Sequence, residues 1–184
     1  DGTRVAVALN TGGNQDIWIW DIGRKTMTRL TFDEGSDNFP LWTPDGKRIV
    51  YYSGREGGVL GGIYWKAADG TGGVTKLGSV PDRVLLPFSW SKDAKHLAFL
   101  ELTVAPLGFD IGMLSMEGDH ARKPLLQGKY DELNPKISPD GRWMAYSSKE
   151  SGKHEVYVRP FPDVESGGRW QVSTNGGDSP LWSP

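Results

Sequence analysis

An all-β fold, a β-propeller built of four-stranded antiparallel blades with four repeats in the chain, is predicted by three observations. The sequence repeats itself at a nearly fixed period, each repeat holds four short strand-like runs, and no stretch carries the i, i+3, i+4 apolar spacing of a helix. The repeat is the strongest of the three. PLWTPDGKRIVY at 40–51 is echoed by NPKISPDGRWMAY at 134–146, and PLWSP ends the sequence. The turn residues Asp1-Gly2, Asp45-Gly46, Asp93-Ala94 and Asp140-Gly141 stand 44, 48 and 47 residues apart. They divide a single domain into units of about 1–44, 45–92, 93–139 and 140–184. Four strands in a repeat of roughly 40 to 50 residues are one propeller blade. A helical solenoid needs helical periodicity, and a sandwich does not repeat its sequence so regularly.

Each element follows from its residues. Strand A precedes the turn and holds Trp42, Trp90, Ile137 and Trp182 in equivalent places. Strand B follows the turn as Val5-Ala6-Val7, Ile49-Val50-Tyr51, Leu97-Ala98-Phe99 and Met144-Ala145-Tyr146, apolar throughout as a strand buried on both faces must be. Strand C is the next apolar run, at 16–19, 62–65, 110–113 and 155–158. Strand D, at 28–31, 75–77, 123–126 and 170–173, alternates in polarity like a half-exposed edge, and Pro124 is tolerable only at such an edge. In the A–B turn, Pro presets φ, Asp bonds nearby backbone and Gly accepts positive φ. The adjoining Trp packs between blades, which contributes about 2–3 kcal/mol. The repeated turn is therefore read mainly as a folding device.

Composition agrees and also excludes. The 184 residues include 25 Gly, 12 Pro and 8 Trp, the turns and large aromatics of a β protein. A formal net charge of −2 offers no field for nucleic acid or anionic lipid. The chain has no cysteine, hence no disulfide and no thiol chemistry. No run reaches the ~18 apolar residues of a membrane helix, so no membrane insertion of this segment is expected.

The A–B junctions Trp42-Thr43-Pro44-Asp45-Gly46-Lys47 and Ser138-Pro139-Asp140-Gly141-Arg142, with Trp90-Ser91-Lys92-Asp93-Ala94 as a degraded copy, resemble the signature of TolB-like (PD-repeat, WD-repeat-like) β-propellers. The resemblance covers essentially the whole chain. DIWIWDIGRKTMTRLTFDEG and WQVSTNGGDSPLWSP are especially similar to propeller regions attached to bacterial serine/threonine protein kinases, although no kinase motif is present. Lys92, Ala94, Ile137 and the insert GREGGVLGG depart from the pattern as drift of single blades. The resemblance implies a periplasmic or extracytoplasmic setting, a channel mouth used for partners or ions, and a ring usually larger than four blades. The chain is thus expected to be cut from a longer protein. Either residues around Leu181-Trp182 close a ring with the first blade, or open edge strands remain that invite self-association.

Catalytic signals are weak. His96, His120 and His154 form no close ligand pair, no G-x-S-x-G elbow occurs, and the glycine runs lack the Lys-Ser/Thr of a phosphate loop. One constellation stands out. Residues just before the strand-A proline approach the central channel, and they are Asp37 and Asn38, Glu132 and Asn134, and Asp178; the third unit supplies Val84 and Leu85 instead. Carboxylates and amides in this place suit a hard cation such as calcium, or a peptide amine. Asp16, Asp110 and Glu155, which open strand C, are read as local turn bonding. The function expected is a non-catalytic protein- or peptide-binding scaffold or sensor within a larger bacterial protein such as a kinase. The alternative is the gating propeller of a prolyl-oligopeptidase-type peptidase.

Overall fold

The structure, a computed structural model, describes residues 2–56 and 60–183. Asp1 of the first predicted turn and residues 57–59 of the second unit's insert lie outside the described residues. The described residues form no helix. Their strands are β1 (Arg4–Asn10), β2 (Gln15–Asp21), β3 (Thr26–Arg29), β4 (Asp37–Trp42), β5 (Arg48–Ser53), β6 (Gly62–Ala67), β7 (Thr75–Gly78) and β8 (Arg83–Trp90). They continue as β9 (His96–Val104), β10 (Leu107–Ser115), β11 (Arg122–Leu126), β12 (Glu132–Ile137), β13 (Trp143–Ser148), β14 (Glu155–Pro160) and β15 (Trp170–Gln171). They form four antiparallel sheets in sequence order: β1–β2–β3, β4–β5–β6–β7, β8–β9–β10–β11 and β12–β13–β14–β15. The predicted strands A to D recur in this order in the last three. The first sheet holds three strands, and Leu181 and Trp182 lie in none. Pro124 sits on β11, an edge strand, as its missing N–H requires.

The chain gathers into two compact units, Asp1–Pro87 and Phe88–Pro184. In the first, β4 packs on β1 and β2. Ile17, Ile19, Leu30, Ile49, Tyr51 and Tyr64 make a buried cluster there, with Trp42 against its side. That is the predicted place of the strand-A indole between two sheets. In the second unit β12 packs on β9 and β10. Leu97, Phe99, Ile111, Leu114 and Met144 are fully enclosed, and Tyr146 stacks on Tyr157 with ring centroids 5.9 Å apart. Gly112 faces Phe99 across the ladder, where any Cβ would meet the phenyl ring at 2.4 Å.

The A–B turn repeats atom for atom. Thr43 Oγ1 donates to Asp45 Oδ1 (2.6 Å), Lys47 N donates to the same oxygen (3.0 Å), and Arg48 N donates back to Thr43 Oγ1 (3.0 Å). Ser91, Asp93, Lys95 and His96 make the same three bonds at 2.6, 3.0 and 2.9 Å. Ser138, Asp140, Arg142 and Trp143 make them at 2.5, 3.1 and 3.0 Å. Gly46 and Gly141 take positive φ, 66° and 74°, and Ala94 is forced into the same region at 59°.

Ala94→Gly is therefore expected to raise the unfolding free energy by about 1 kcal/mol, because left-handed backbone strains any Cβ; urea denaturation measures it. The turn carboxylates also have a pH signature. The Ser138 hydroxyl, the Arg142 N–H and the Arg142 guanidinium hold Asp140 down to about 2. Its folded value lies below its unfolded one, so its contribution is present above pH ~4 and is lost as pH falls toward ~2. Asp140→Asn should flatten the fall of the urea midpoint across that window.

Candidate functional site

The far end of strand A from the turn is shaped by proline. Phe39, Asn134 and Ser179 stand immediately before Pro40, Pro135 and Pro180 and take positive φ, 54°, 55° and 50°. On β4 the register jumps from Asn38 opposite Tyr52 to Leu41 opposite Val50; on β12 it jumps from Leu133 opposite Ser147 to Lys136 opposite Ala145. Both are bulges, two residues facing one, and a bulge turns neighbouring side chains out of the strand's alternation. Aligned on the proline, Asp37 corresponds to Glu132, and Phe39 to Asn134 and Ser179. In β8, aligned on Trp90, Leu85 occupies the Asp37 position and is fully buried.

In the second unit the structure brings two predicted residues together. Asn134 Nδ2 donates to Asp178 Oδ1 (2.8 Å), as do Ser147 Oγ (2.5 Å) and Ser179 N (2.7 Å). The Ser147 hydroxyl, the Ser179 N–H and the Asn134 amide hold Asp178 below the usual carboxylate range, so it is charged at neutral pH. Glu132 opens β12 outside this network. Its Oε2 is buried and accepts no hydrogen bond. Burial, reinforced by Asp110, Asp131 and Glu150, pushes its pKa up to about 7, with Arg159 opposing.

In the first unit Asp37 is fully buried and faces Ser53 across the ladder. Neither carboxylate oxygen accepts a well-formed hydrogen bond. Desolvation raises its pKa against the pull of the Ser53 and Thr31 hydroxyls and of Arg55, whose Nη2 lies 3.9 Å from Oδ1. Arg55 is held by Asp33 Oδ2 (2.8 Å), the Tyr51 hydroxyl (3.0 Å) and Ser53 Oγ (3.0 Å), with its guanidinium 4.8 Å from the Tyr64 ring centroid. Asn38 is half-buried opposite Tyr52. Among the described residues no three His, Cys, Asp or Glu side chains are grouped to hold a metal ion.

Against the expectation of local turn bonding, the strand-C acids Asp16 and Glu155 bond to residues of strand D and just after it. Asp16 Oδ2 accepts from Arg29 Nη2 (2.6 Å), and Glu155 Oε1 accepts from Gly176 N (2.8 Å) while Oε2 accepts from Ser173 Oγ. Both acids stitch strand C to the end of strand D. Sequence reasoning missed Ser147 and Arg55. Ser147 was detectable, because the equivalent place in the second and third units holds Tyr52 and Leu100. Arg55 carries no repeat signal, for it begins the second unit's irregular insert.

Four consecutive antiparallel sheets of this order define a β-propeller domain. The TolB beta propeller domain family matches residues 1–184, and the chain belongs to that family. It is 25% identical over 203 residues to the uncharacterized peptidase YuxL of Bacillus subtilis (strain 168), covering 86% of this chain and 30% of that protein. It is 22% identical to the Tol-Pal system protein TolB of Helicobacter pylori (strain J99), covering 85% of this chain and 37% of that protein. The chain thus spans about a third of the length of these relatives. The structure of a TolB from Agrobacterium tumefaciens, described as putative, superposes with a TM-score of 0.78 at 19% identity over 97% of this chain and 62% of that one, a likeness of fold. No helix among the described residues is long and apolar enough to cross a membrane.

Glu132 gives this site a measurable pH dependence. Its folded pKa lies above its unfolded value, so the folded state binds the extra proton and stability falls as pH rises from ~4.5 through ~7. Glu132→Gln is expected to remove that slope and to stabilise the protein at pH 8 by about 1 kcal/mol, a figure discounted for the group's partial solvent access. Urea midpoints of both proteins at pH 5 and pH 8 provide the check.

Proposed function

We propose that the chain is a non-catalytic recognition domain of a larger bacterial protein, binding a protein or peptide through the strand-A starts. The observation that carries the reading is a desolvated carboxylate at a strand-A start in each compact unit, Asp37 in one and Glu132 in the other, with buried oxygens that accept no hydrogen bond. A buried acid without a donor is costly, and a ligand that brings donors or positive charge relieves that cost. A free peptide amine does this, and calcium is the competing hard cation. Asp178, charged and exposed in its hydrogen-bonded cluster, adds a further carboxylate.

The second reading, the gating propeller of a prolyl-oligopeptidase-type peptidase, is favoured by the similarity to peptidase YuxL over 86% of this chain. Neither of the two relatives named above is a kinase, so the kinase setting rests on the sequence resemblance alone. A hydrolase domain encoded beside this segment selects the peptidase reading.

Fluorescein-labelled peptides with free and acetylated amino termini test the binding reading. The free-amine peptide should bind more tightly, calcium should compete with it, and Asp37→Ala with Asp178→Ala should weaken it about tenfold, ~1.4 kcal/mol. Unchanged affinity in the double variant would remove these residues from the site.

A further inference from the structure

The opposite end of the first unit's strands carries a second feature that the binding reading does not use. The residue two places after the turn glycine begins strand B, and in the first two repeats it is an arginine, Arg4 and Arg48. Each is laid over an indole. The Arg4 guanidinium carbon lies 4.7 Å from the Trp42 ring centroid, and that of Arg48 lies 4.5 Å from the Trp65 ring centroid. Arg4 Nη2 donates to Gly46 O (3.3 Å), which places the first arginine against the second repeat's turn. Among the described residues neither guanidinium is paired with a carboxylate.

Both arginines face one cavity of about 370 Å³, walled by Arg4, Lys47, Arg48 and Asp69 and floored by Ala67 and Ala68. A second cavity of about 300 Å³ is also lined by Arg4, together with Trp42, Thr43, Pro44 and Asp45. The first cavity has three cationic side chains against one carboxylate. That carboxylate is turned into its own loop, since Asp69 Oδ1 accepts from Thr71 N (2.9 Å) and Thr71 Oγ1 (2.7 Å). Asp45 Oδ1 is likewise taken by Thr43 Oγ1 and Lys47 N. The nearby acids serve their turns, and the cations are left unspent.

We propose that this groove docks an acidic peptide segment of a partner protein, with its carboxylates received by Arg4 and Arg48. The planar guanidinium matches a carboxylate with two parallel N–H donors, a geometry lysine cannot supply. Stacking on Trp42 and Trp65 orients both side chains in advance, which lowers the entropy lost on binding. The indole edges and the alanine floor offer apolar contact to the peptide between its charges.

The test is fluorescence anisotropy of fluorescein-labelled hexaglutamate at low ionic strength, with hexalysine as control and inorganic phosphate as competitor. Hexaglutamate should bind and hexalysine should not, and added salt should weaken the complex. Arg48→Gln, an exposed position that leaves the core intact, should weaken binding about tenfold, and Arg48→Lys should recover only part of it. The Arg4→Gln/Arg48→Gln double variant should abolish it. Asp37→Ala with Asp178→Ala should leave hexaglutamate affinity unchanged, so this inference and the binding reading of the strand-A starts fail separately. Equal affinity of the native protein and Arg48→Gln overturns the inference, as does no binding of hexaglutamate. Displacement by phosphate at concentrations matching the peptide also overturns it, since the groove would then be a small-anion site.

Discussion

A hydroxyl held between a carboxylate and a backbone N–H is the constraint on which the fold depends. In the three A–B turns at 43–48, 91–96 and 138–143 the Asp receives the Ser or Thr hydroxyl, and that hydroxyl receives the N–H that opens strand B. The relay fixes the distance between the end of strand A and the start of strand B to the residue. Register matters in this architecture because both faces of strand B are buried in β5 and β9, and a slip of one residue would drive Tyr51 and Phe99 into the places shaped for Val50 and Ala98. The third repeat shows which part of the turn matters most. It has lost both Pro and Gly, yet Ser91 and Asp93 keep every bond of the relay, and Ala94 bears the positive φ. The hydroxyl–carboxylate pair therefore governs the geometry, and proline and glycine make it easier to reach.

The other end of strand A is governed by the bulge. A proline cannot donate to the ladder and disfavours helical backbone in the residue before it. Phe39 and Asn134 nonetheless take positive φ, away from the extended backbone a following proline favours, and the ladder admits an extra residue at each place. β8 has Leu86-Pro87-Phe88 in this region, with proline one place earlier, and no positive φ falls between Arg83 and Trp90. It also carries leucine where the second and fourth sheets carry an acid, Asp37 and Glu132. Positive φ before the proline and an acid three places before it therefore occur together in β4 and β12, and β8 has neither.

The sequence alone was sufficient for the strand order, because the turn dipeptides and the apolar runs recur on a common frame. Residue roles were less legible where local geometry breaks that frame. Asn38 and Asn134 look alike in sequence as amides near proline, yet the bulge puts Phe39, not Asn38, in the Asn134 position. Asp37 and Glu132 read as strand-entry acids near the channel, but sequence cannot express the burial that raises their pKa values. Asn134 and Asp178 meet although 44 residues separate them, which only the repeat spacing could suggest. Arg55 lay beyond inference, because its partners Tyr51 and Ser53 on β5 and Asp33 in the loop before β4 share no sequence pattern.

The acids and the arginines differ in what their environments ask of a ligand. Asp37 and Glu132 have been withdrawn from water, and the buried oxygens of neither accept a well-formed hydrogen bond to replace it, so their charged forms are disfavoured before anything binds. A ligand there gains by supplying what is missing, and a neutral or anionic group supplies nothing. Arg4 and Arg48 keep water on one face and an indole on the other, so their charge costs little in the free protein. Binding at the groove must then come from shape and paired N–H donors, because no desolvation is relieved. The strand-A starts are selected by relief of strain already present, and the groove by complementarity formed only on contact. A ligand change that alters charge without altering shape should for this reason matter more at Asp37 and Glu132 than at the two arginines.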